Sequence, residues 1–364
     1  MLLKQLSIAH CRIIENANLE FSPQVNLICG DNGSGKSSIL EAIAILSRGR
    51  SFRTSRITDV ISNQHDSLLI RADCVDADNL FRIGIERSKT STRIRVNQKE
   101  VNTQAALSRY LPITIIDPNS VDLLTGSPSV RRSYIDWIAF YLFPEFHSIW
   151  QNYQRVLKQR NLCLRAPKYL SALPVWTDEL IKSQLQIISY RERSLEVLNP
   201  QLASFCDQLL EGHSIQLKLT TGFAQAMDLS VESQKAFYLE KQESDIKSAR
   251  TLSGAHRADL QVMFNDQIAQ HCASRGQLKL IAIAMLLAQS RSIDPENNRK
   301  GIIAIDDLAA ELDGDNKIRL LTTLRGLEQQ LILTSTQAEL IPLYDEDHLF
   351  HVKQGKVNLN NSSV

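Results

Sequence analysis

The run Gly30-Asp31-Asn32-Gly33-Ser34-Gly35-Lys36-Ser37 constrains this chain more than any other stretch of its length. It follows an apolar segment, residues 25–29, that predicts a short buried strand. It precedes residues 38–46, whose apolar side chains recur at helical spacing. Strand, glycine-rich loop and helix, in that order, are the context of a phosphate-binding loop of the Walker A type. Glycines let the backbone curl so that several N–H groups point inward. The helix N-terminus adds partial positive charge at the same place. In such a loop Lys36 reaches the β- and γ-phosphates, and the Ser37 hydroxyl coordinates Mg²⁺. The expected nucleotide contacts are Gly30, Asp31, Asn32, Gly33, Ser34, Gly35, Lys36, Ser37 and Ser38, with ATP and Mg²⁺ as cofactors.

At 364 residues the chain is long enough for about two domains or lobes. Its formal net charge is only +1, so any affinity for nucleic acid has to come from local basic patches. The six cysteines, Cys11, Cys29, Cys74, Cys163, Cys206 and Cys272, are scattered and form no zinc-type spacing. They read as small buried residues of a reducing compartment. The N-terminus has the look of a first strand. The most apolar helix, 278–288, contains Lys279 and falls short of a membrane span. The expected location is the cytoplasm, with no membrane partner.

Residues 1–30 alternate as strands, at 2–14, 17–21 and 25–29. A basic connector, Arg50-Ser51-Phe52-Arg53-Thr54-Ser55-Arg56, follows the loop helix. Arg53 and Arg56 there suit either a phosphate backbone or plain solvent. Residues 66–102 read as an antiparallel meander with a turn at Asp76-Ala77-Asp78-Asn79. Arg82, Arg87, Lys89, Arg93 and Arg95 make it a second basic candidate, unless they only form its solvent face. After a short strand at 112–118 the pattern turns helical. Helices are expected at 130–142, 146–165 and 178–198, the last followed by a shorter segment to 210, punctuated by Pro144, Pro167 and Pro200. Strands resume at 215–220, and a polar stretch, 232–248, leads into the last third of the chain.

Residues 302–307, Ile302-Ile303-Ala304-Ile305-Asp306-Asp307, pair with the phosphate loop as a Walker B strand. Asp306 is placed for the Mg²⁺ shell and Asp307 for orienting or deprotonating the attacking water. Lys36 and Asp307 are thus the expected catalytic pair, and Ser37 with Asp306 the expected metal ligands. Ser274-Arg275-Gly276-Gln277, at a helix start, is similar to the signature loop of ABC-type ATPases. Glu311-Leu312-Asp313, just after the Walker B strand, matches their D-loop, which in that class crosses the same subunit interface as the signature.

Taken together, these motifs resemble the RecF family of bacterial DNA repair and recombination proteins, related to SMC-type ATPases. The resemblance covers almost the whole chain. It includes 30–37, Ser51-Phe52-Arg53, Arg131-Arg132 with Asp136-Trp137, Leu157-Lys158-Gln159-Arg160-Asn161 and Gly254-Ala255-His256-Arg257-Ala258-Asp259. It continues through 274–277, Asp306-Asp307 and 311–313. Ala255 departs from the proline usual in the family. Thr336-Gln337 offers no switch histidine, and no glutamine near Asp117-Pro118-Asn119 supplies a Q-loop.

The resemblance implies an α/β fold: an ABC-type ATPase head with mixed β-sheets around the loop helix, plus an inserted, mainly helical lobe. The expected division is 1–118 and 214–364 for the head and 119–213 for the lobe. It implies a weak ATPase that dimerises on ATP, with Ser274, Arg275, Gly276 and Gln277 acting across the dimer. It implies binding to single- and double-stranded DNA at gaps or junctions, and work with RecO and RecR to load RecA. Asp307 is one methylene shorter than the glutamate common in ABC proteins, which suits slow turnover. In the lobe, Arg131, Arg132, Lys158 and Arg160 are candidate DNA contacts, with a solvated helix face as the alternative. His256 and Arg257 fit a polar core pair or an interface. A different class, an ABC-type ATPase subunit energising a membrane transporter, would share the loop and signature but not the helical-lobe motifs.

Overall fold

The computed structural model describes residues 1–77, 79–101, 103–223, 227–293, 301–307 and 312–360. Asp78 of the predicted turn and Glu311 of the predicted D-loop lie outside them. The chain divides into two units, one of Met1–Ser120 with Ile283–Val364 and one of Val121–Ala282.

The first unit holds two six-stranded sheets. One runs in the order Lys356–Asn360, His348–Lys353, Val25–Cys29, Leu331–Ser335, Ile302–Ile305, Ile113–Ile116. All its pairings are parallel except the C-terminal hairpin at its edge. Strands inside a parallel sheet are covered on both faces, which is why Val25–Cys29, Ile302–Ile305 and Ile113–Ile116 are mostly apolar and buried throughout, with Asn26 and Thr114 the polar members. The other sheet is the expected antiparallel meander, in the order Ile14–Glu20, Leu2–Cys11, Ser67–Asp76, Asn79–Ser88, Thr92–Val96, Lys99–Glu100. Its first strand ends three residues earlier than the apolar pattern suggested. The chain reverses there, with His10 and Arg12 both at positive φ.

The loop helix, Lys36–Arg48, shares one core with both sheets. Ile39, Leu40, Ile43 and Leu46 join Leu6, Ile8, Ile70 and Ile83 from the meander and Ile28, Ile113, Ile302 and Ile332 from the parallel sheet. A helix enclosed this way must be apolar nearly all round. Among its buried polar residues, which include Lys36, Ser38 and Ser47, Glu41 is fully enclosed and therefore needs a cation.

The second unit contains the helices Pro128–Leu142, Phe146–Arg165 and Leu173–Leu209, which pack on one another. Tyr153, Val156, Leu180, Ile187, Ile188 and Tyr238 form their core. The last helix is one element of 37 residues, about 55 Å long, and runs through Pro200 rather than breaking there. Proline removes one backbone hydrogen bond, and the buried stripe continuing through Leu198, Leu202 and Phe205 outweighs that loss. The lobe also extends to Ala282, well past residue 213. Ile215–Thr220 pairs with Asp259–Phe264 in a separate three-stranded sheet and joins neither head sheet. The polar stretch before it folds as two helices, Val231–Glu240 and Gln242–Ser248, the first capped by Ser230. No helix among the described residues is long and apolar enough to cross a membrane.

Candidate nucleotide site

The phosphate loop takes its shape from three glycines with positive φ: Gly30 at 157°, Gly33 at 77° and Gly35 at 120°. At Gly30 the need is also steric. A Cβ there would stand 2.2 Å from the carbonyl oxygen of Val352. That carbonyl belongs to the C-terminal hairpin, which lies against the loop. The Gly355 N–H donates to the Ser34 carbonyl at 2.8 Å. Lys36 is 7% exposed, and its Nζ donates to the carbonyl oxygens of Gly30 (2.6 Å) and Asp31 (2.9 Å). The ammonium is thus held inside the curl of the loop.

Parallel register brings the remaining groups to the same sheet end. Ile305 pairs with Ile116 on one side and Leu333 on the other, so Asp306 and Thr334 emerge together. The Asp306 N–H donates to the Ile116 carbonyl at 2.8 Å. Its Oδ1 accepts from Ser37 Oγ at 2.9 Å and from Thr334 Oγ1 at 2.8 Å. Thr334 Oγ1 accepts from the Asp307 N–H at 2.8 Å, which fixes Asp307 with φ at 55°. The hydroxyl of Ser34, inside the loop, is buried and makes no hydrogen bond. The buried Lys36 ammonium and the unsatisfied Ser34 hydroxyl of this loop fit a polyphosphate. The hard oxygens of Ser37 and Asp306 fit Mg²⁺.

Thr334 carries no sequence signal beyond ending an apolar strand. Asp117, at the end of the neighbouring strand, is a second residue that sequence reasoning left without a role. Burial raises its carboxyl above the ordinary value. The hydrogen bond with Ser120 opposes that rise, and the charge of Asp306 adds to it. Behind the loop, Arg12 forms a bidentate pair with buried Glu41, both contacts at 2.8 Å. Ser51 Oγ donates to the same carboxylate and accepts from the Arg53 and Thr54 N–H groups. Ser51 therefore points inward, while Arg53 and Arg56 are exposed.

The sequence pattern of the RecF/RecN/SMC N terminal domain matches residues 2–359. A DNA replication and repair protein RecF from Shewanella baltica is 36% identical over 366 residues, covering 99% of each chain. One from Hydrogenovibrio crunogenus is 34% identical over 355 residues, covering 97% of this chain and 98% of its own. This chain belongs to the RecF family. Its fold is that of a solved recombination mediator protein RecF with ATP (TM-score 0.87, 24% identity, 98% and 97% covered). It is more distantly like an Smc head bound to a winged-helix domain of ScpA (TM-score 0.60, 16% identity, 99% and 97% covered). RecF membership leaves the transporter-subunit reading without support.

Within the helical lobe, the motif residues mostly face inward. Arg160 is 1% exposed; it pairs with buried Asp245 at 2.8 Å and donates to Thr251 and Thr177. It is withdrawn as a DNA contact. Arg131 makes a bidentate pair with Asp259 at 2.7 and 3.0 Å, and Arg132 donates to the Ala258 carbonyl. The Arg131 guanidinium is committed within the lobe and is withdrawn as well, whereas Arg132 is half-buried and stays a candidate contact. Arg191 pairs with Asp136 and donates to the Ala255 carbonyl. Asn161 accepts from Thr251, and His256 bridges the Tyr153 hydroxyl and the Thr251 carbonyl. His256 is therefore part of the polar core, and Arg257 is exposed. Lys158 is exposed too. In the meander Arg82 pairs with Asp73, Arg93 with Glu86 and Arg95 with Glu100, while Arg87 reaches the Gly49 carbonyl, so that candidate patch is largely neutralised.

Ser274, Arg275 and Gly276 are exposed at the start of helix Arg275–Arg291. Ser274 and Gln277 form a reciprocal capping box: the Gln277 N–H donates to Ser274 Oγ at 3.2 Å, and the Ser274 N–H donates to Gln277 Oε1 at 2.9 Å. Asp313 caps helix Gly314–Arg325, accepting from the Asn316 N–H at 2.9 Å. Both motifs thus carry a local structural role besides any role across a dimer.

Proposed function

We propose that this chain is an ATP-dependent DNA-binding protein of recombinational repair that closes as a dimer around ATP. The observation that carries the reading is the convergence of Lys36, Ser37 and Asp306, with Ser37 Oγ 2.9 Å from the Asp306 carboxylate. Loop N–H groups and Lys36 hold the phosphates, and Ser37 with Asp306 hold Mg²⁺. The ion, when bound, neutralises charge on the phosphate oxygens. Asp307, pinned through Thr334, orients the attacking water and accepts its proton. Its short side chain makes hydrolysis slow, which suits a timed clamp more than a motor.

Ser274 and Gly276, exposed at a helix start, contribute from the second copy as donors to the γ-phosphate. Ligand that binds only the closed dimer shifts the equilibrium by mass action, about 2.7 kcal/mol at 100-fold saturation. Hydrolysis removes that contribution and the dimer opens. Exposed cations, Arg53 and Arg56 in the head and Lys158 in the lobe, contact DNA phosphates. Family relationship supports single- and double-stranded DNA at gaps and junctions as the target, with RecO and RecR as partners in RecA loading.

Fluorescence anisotropy on gapped DNA, with and without ATP and over a range of salt, tests this. We expect ATP to tighten binding at least about tenfold and Lys36→Met to remove that gain. Equal affinity with and without ATP in the wild type would overturn the reading.

A further inference from the structure

We propose that His10, Glu15 and His65 form a binding site for a divalent transition metal of the Zn²⁺ class. The three residues come from the two sides of the first hairpin turn and from the segment entering Ser67–Asp76. Their ligand atoms all lie within 4.8 Å of one another. His65 Nε2 is 3.0 Å from Glu15 Oε2, and His10 Nδ1 is 3.6 Å from the same oxygen. Two ligands on one tetrahedral zinc, each about 2.0–2.1 Å from it, stand about 3.3 Å apart, so these separations bracket the requirement.

Three further features distinguish this cluster from an ordinary surface hydrogen-bond network. His10 Nδ1 is buried and makes no hydrogen bond, although it stands only 3.6 Å from the Glu15 carboxylate. The two imidazole rings stack with centroids 3.5 Å apart and planes 21° from parallel. Each nitrogen's lone pair lies in its own ring plane, so ligation of one ion turns one ring out of this stack. Glu15 is held by a second partner: Ser62 Oγ donates to its other oxygen at 2.9 Å. A supporting hydrogen bond to a ligating carboxylate is what a metal site needs.

The backbone is shaped for the same end. His10 has φ at 59°, a conformation that histidine adopts more readily than most side chains, and its carbonyl accepts from the Ser62 N–H. Ser62 in turn accepts from the His65 N–H, so one short segment carries both the supporting hydroxyl and the second imidazole. Imidazole and carboxylate donors select zinc-like ions over Mg²⁺ or Ca²⁺. Three protein ligands leave a position open for water. The site brackets the turn whose Ile13 side chain would lie 3.3 Å from a Cβ on Gly35. A bound ion therefore braces the turn against the phosphate loop.

The test uses the full chain, stripped with chelator and free of nucleotide. Zn²⁺ is titrated calorimetrically and Co²⁺ by visible absorption. We expect one ion per chain, a Co²⁺ spectrum of a low-symmetry four-coordinate site, and a raised unfolding midpoint with Zn²⁺. His65→Ala and His10→Asn, the latter suited to positive φ, should each weaken Zn²⁺ binding more than about tenfold, and Ser62→Ala about tenfold. If a histidine variant fails to fold, Glu15→Gln supplies the same comparison. No Zn²⁺ binding by the wild type, an octahedral Co²⁺ spectrum, or equal affinity in the ligand variants would overturn the proposal.

Discussion

The phosphate loop and the helical lobe place positive charge in opposite ways. At the loop, one buried ammonium rests on two backbone carbonyls beside an unsatisfied hydroxyl. In the lobe, Arg160, Arg191 and Arg131 meet Asp245, Asp136 and Asp259 with near-ideal geometry, leaving no capacity for a ligand. Family motifs mark both regions. In the head they mark a site that awaits a partner, and in the lobe they mark partners already engaged. A basic residue in a motif is thus evidence for a charge requirement, and only its burial and neighbours say whose charge it meets.

The largest effect that sharpens this contrast is at Arg160. Arg160→Ala leaves Asp245 charged and buried, and should cost about 3–5 kcal/mol of unfolding free energy in urea titration. The paired variant Arg160→Met with Asp245→Leu should recover most of it. Lys158→Ala, two residues away on the exposed face, should stay within about 0.5 kcal/mol. If the two single alanine variants were equally mild, the inward network would carry no weight in the lobe.

Lys36→Met should weaken ATP binding by about 1.5–3 kcal/mol, the worth of a hydrogen bond to a charged group, with the unfolding midpoint of the nucleotide-free chain little changed. A variant that bound ATP normally by calorimetry would break the contrast from the other side. Ser274→Ala should cost the capped helix about 1 kcal/mol, visible in thermal unfolding without nucleotide.

A smaller effect comes from pH. Burial lowers the His256 pKa below its ordinary value of 6.5, so the folded lobe holds it neutral while the unfolded chain takes up a proton. The stability it contributes is complete above that value and is lost as pH falls through the folded pKa. The unfolding midpoint should drop between about pH 7 and pH 5, and His256→Gln should flatten the drop. Finally, Lys158→Ala should lower the salt dependence of DNA binding by about one phosphate contact; an unchanged slope would remove Lys158 from the interface.

The head was legible because its chemistry is local in sequence. Eight consecutive residues set the loop, and continuous apolar runs set the strands that position Asp306. What sequence did not reveal there depends on register: Thr334, Asp117 and the hairpin at Gly355 reach the site only through strand order. In the lobe a signal was present. Tyr153, Val156, Arg160 and Leu164 fall on one helical stripe, so Arg160 sits in an apolar register while Lys158 does not. Counting basic residues hid that difference. The continuity of the long helix through Pro200 and the reach of the lobe to Ala282 depend on tertiary packing and strand pairing, which local pattern does not encode.

In the proposed closed state the phosphate loop is half of a site, completed by Ser274 and Gly276 of a second copy. Sedimentation velocity of the wild type and Ser274→Arg, with and without ATP and Mg²⁺, tests it most directly. We expect a wild-type dimer only with ATP, and a mutant that binds ATP as a monomer does but stays monomeric. A wild type that remains monomeric at saturating ATP, or a mutant that dimerises as well as the wild type, would contradict it.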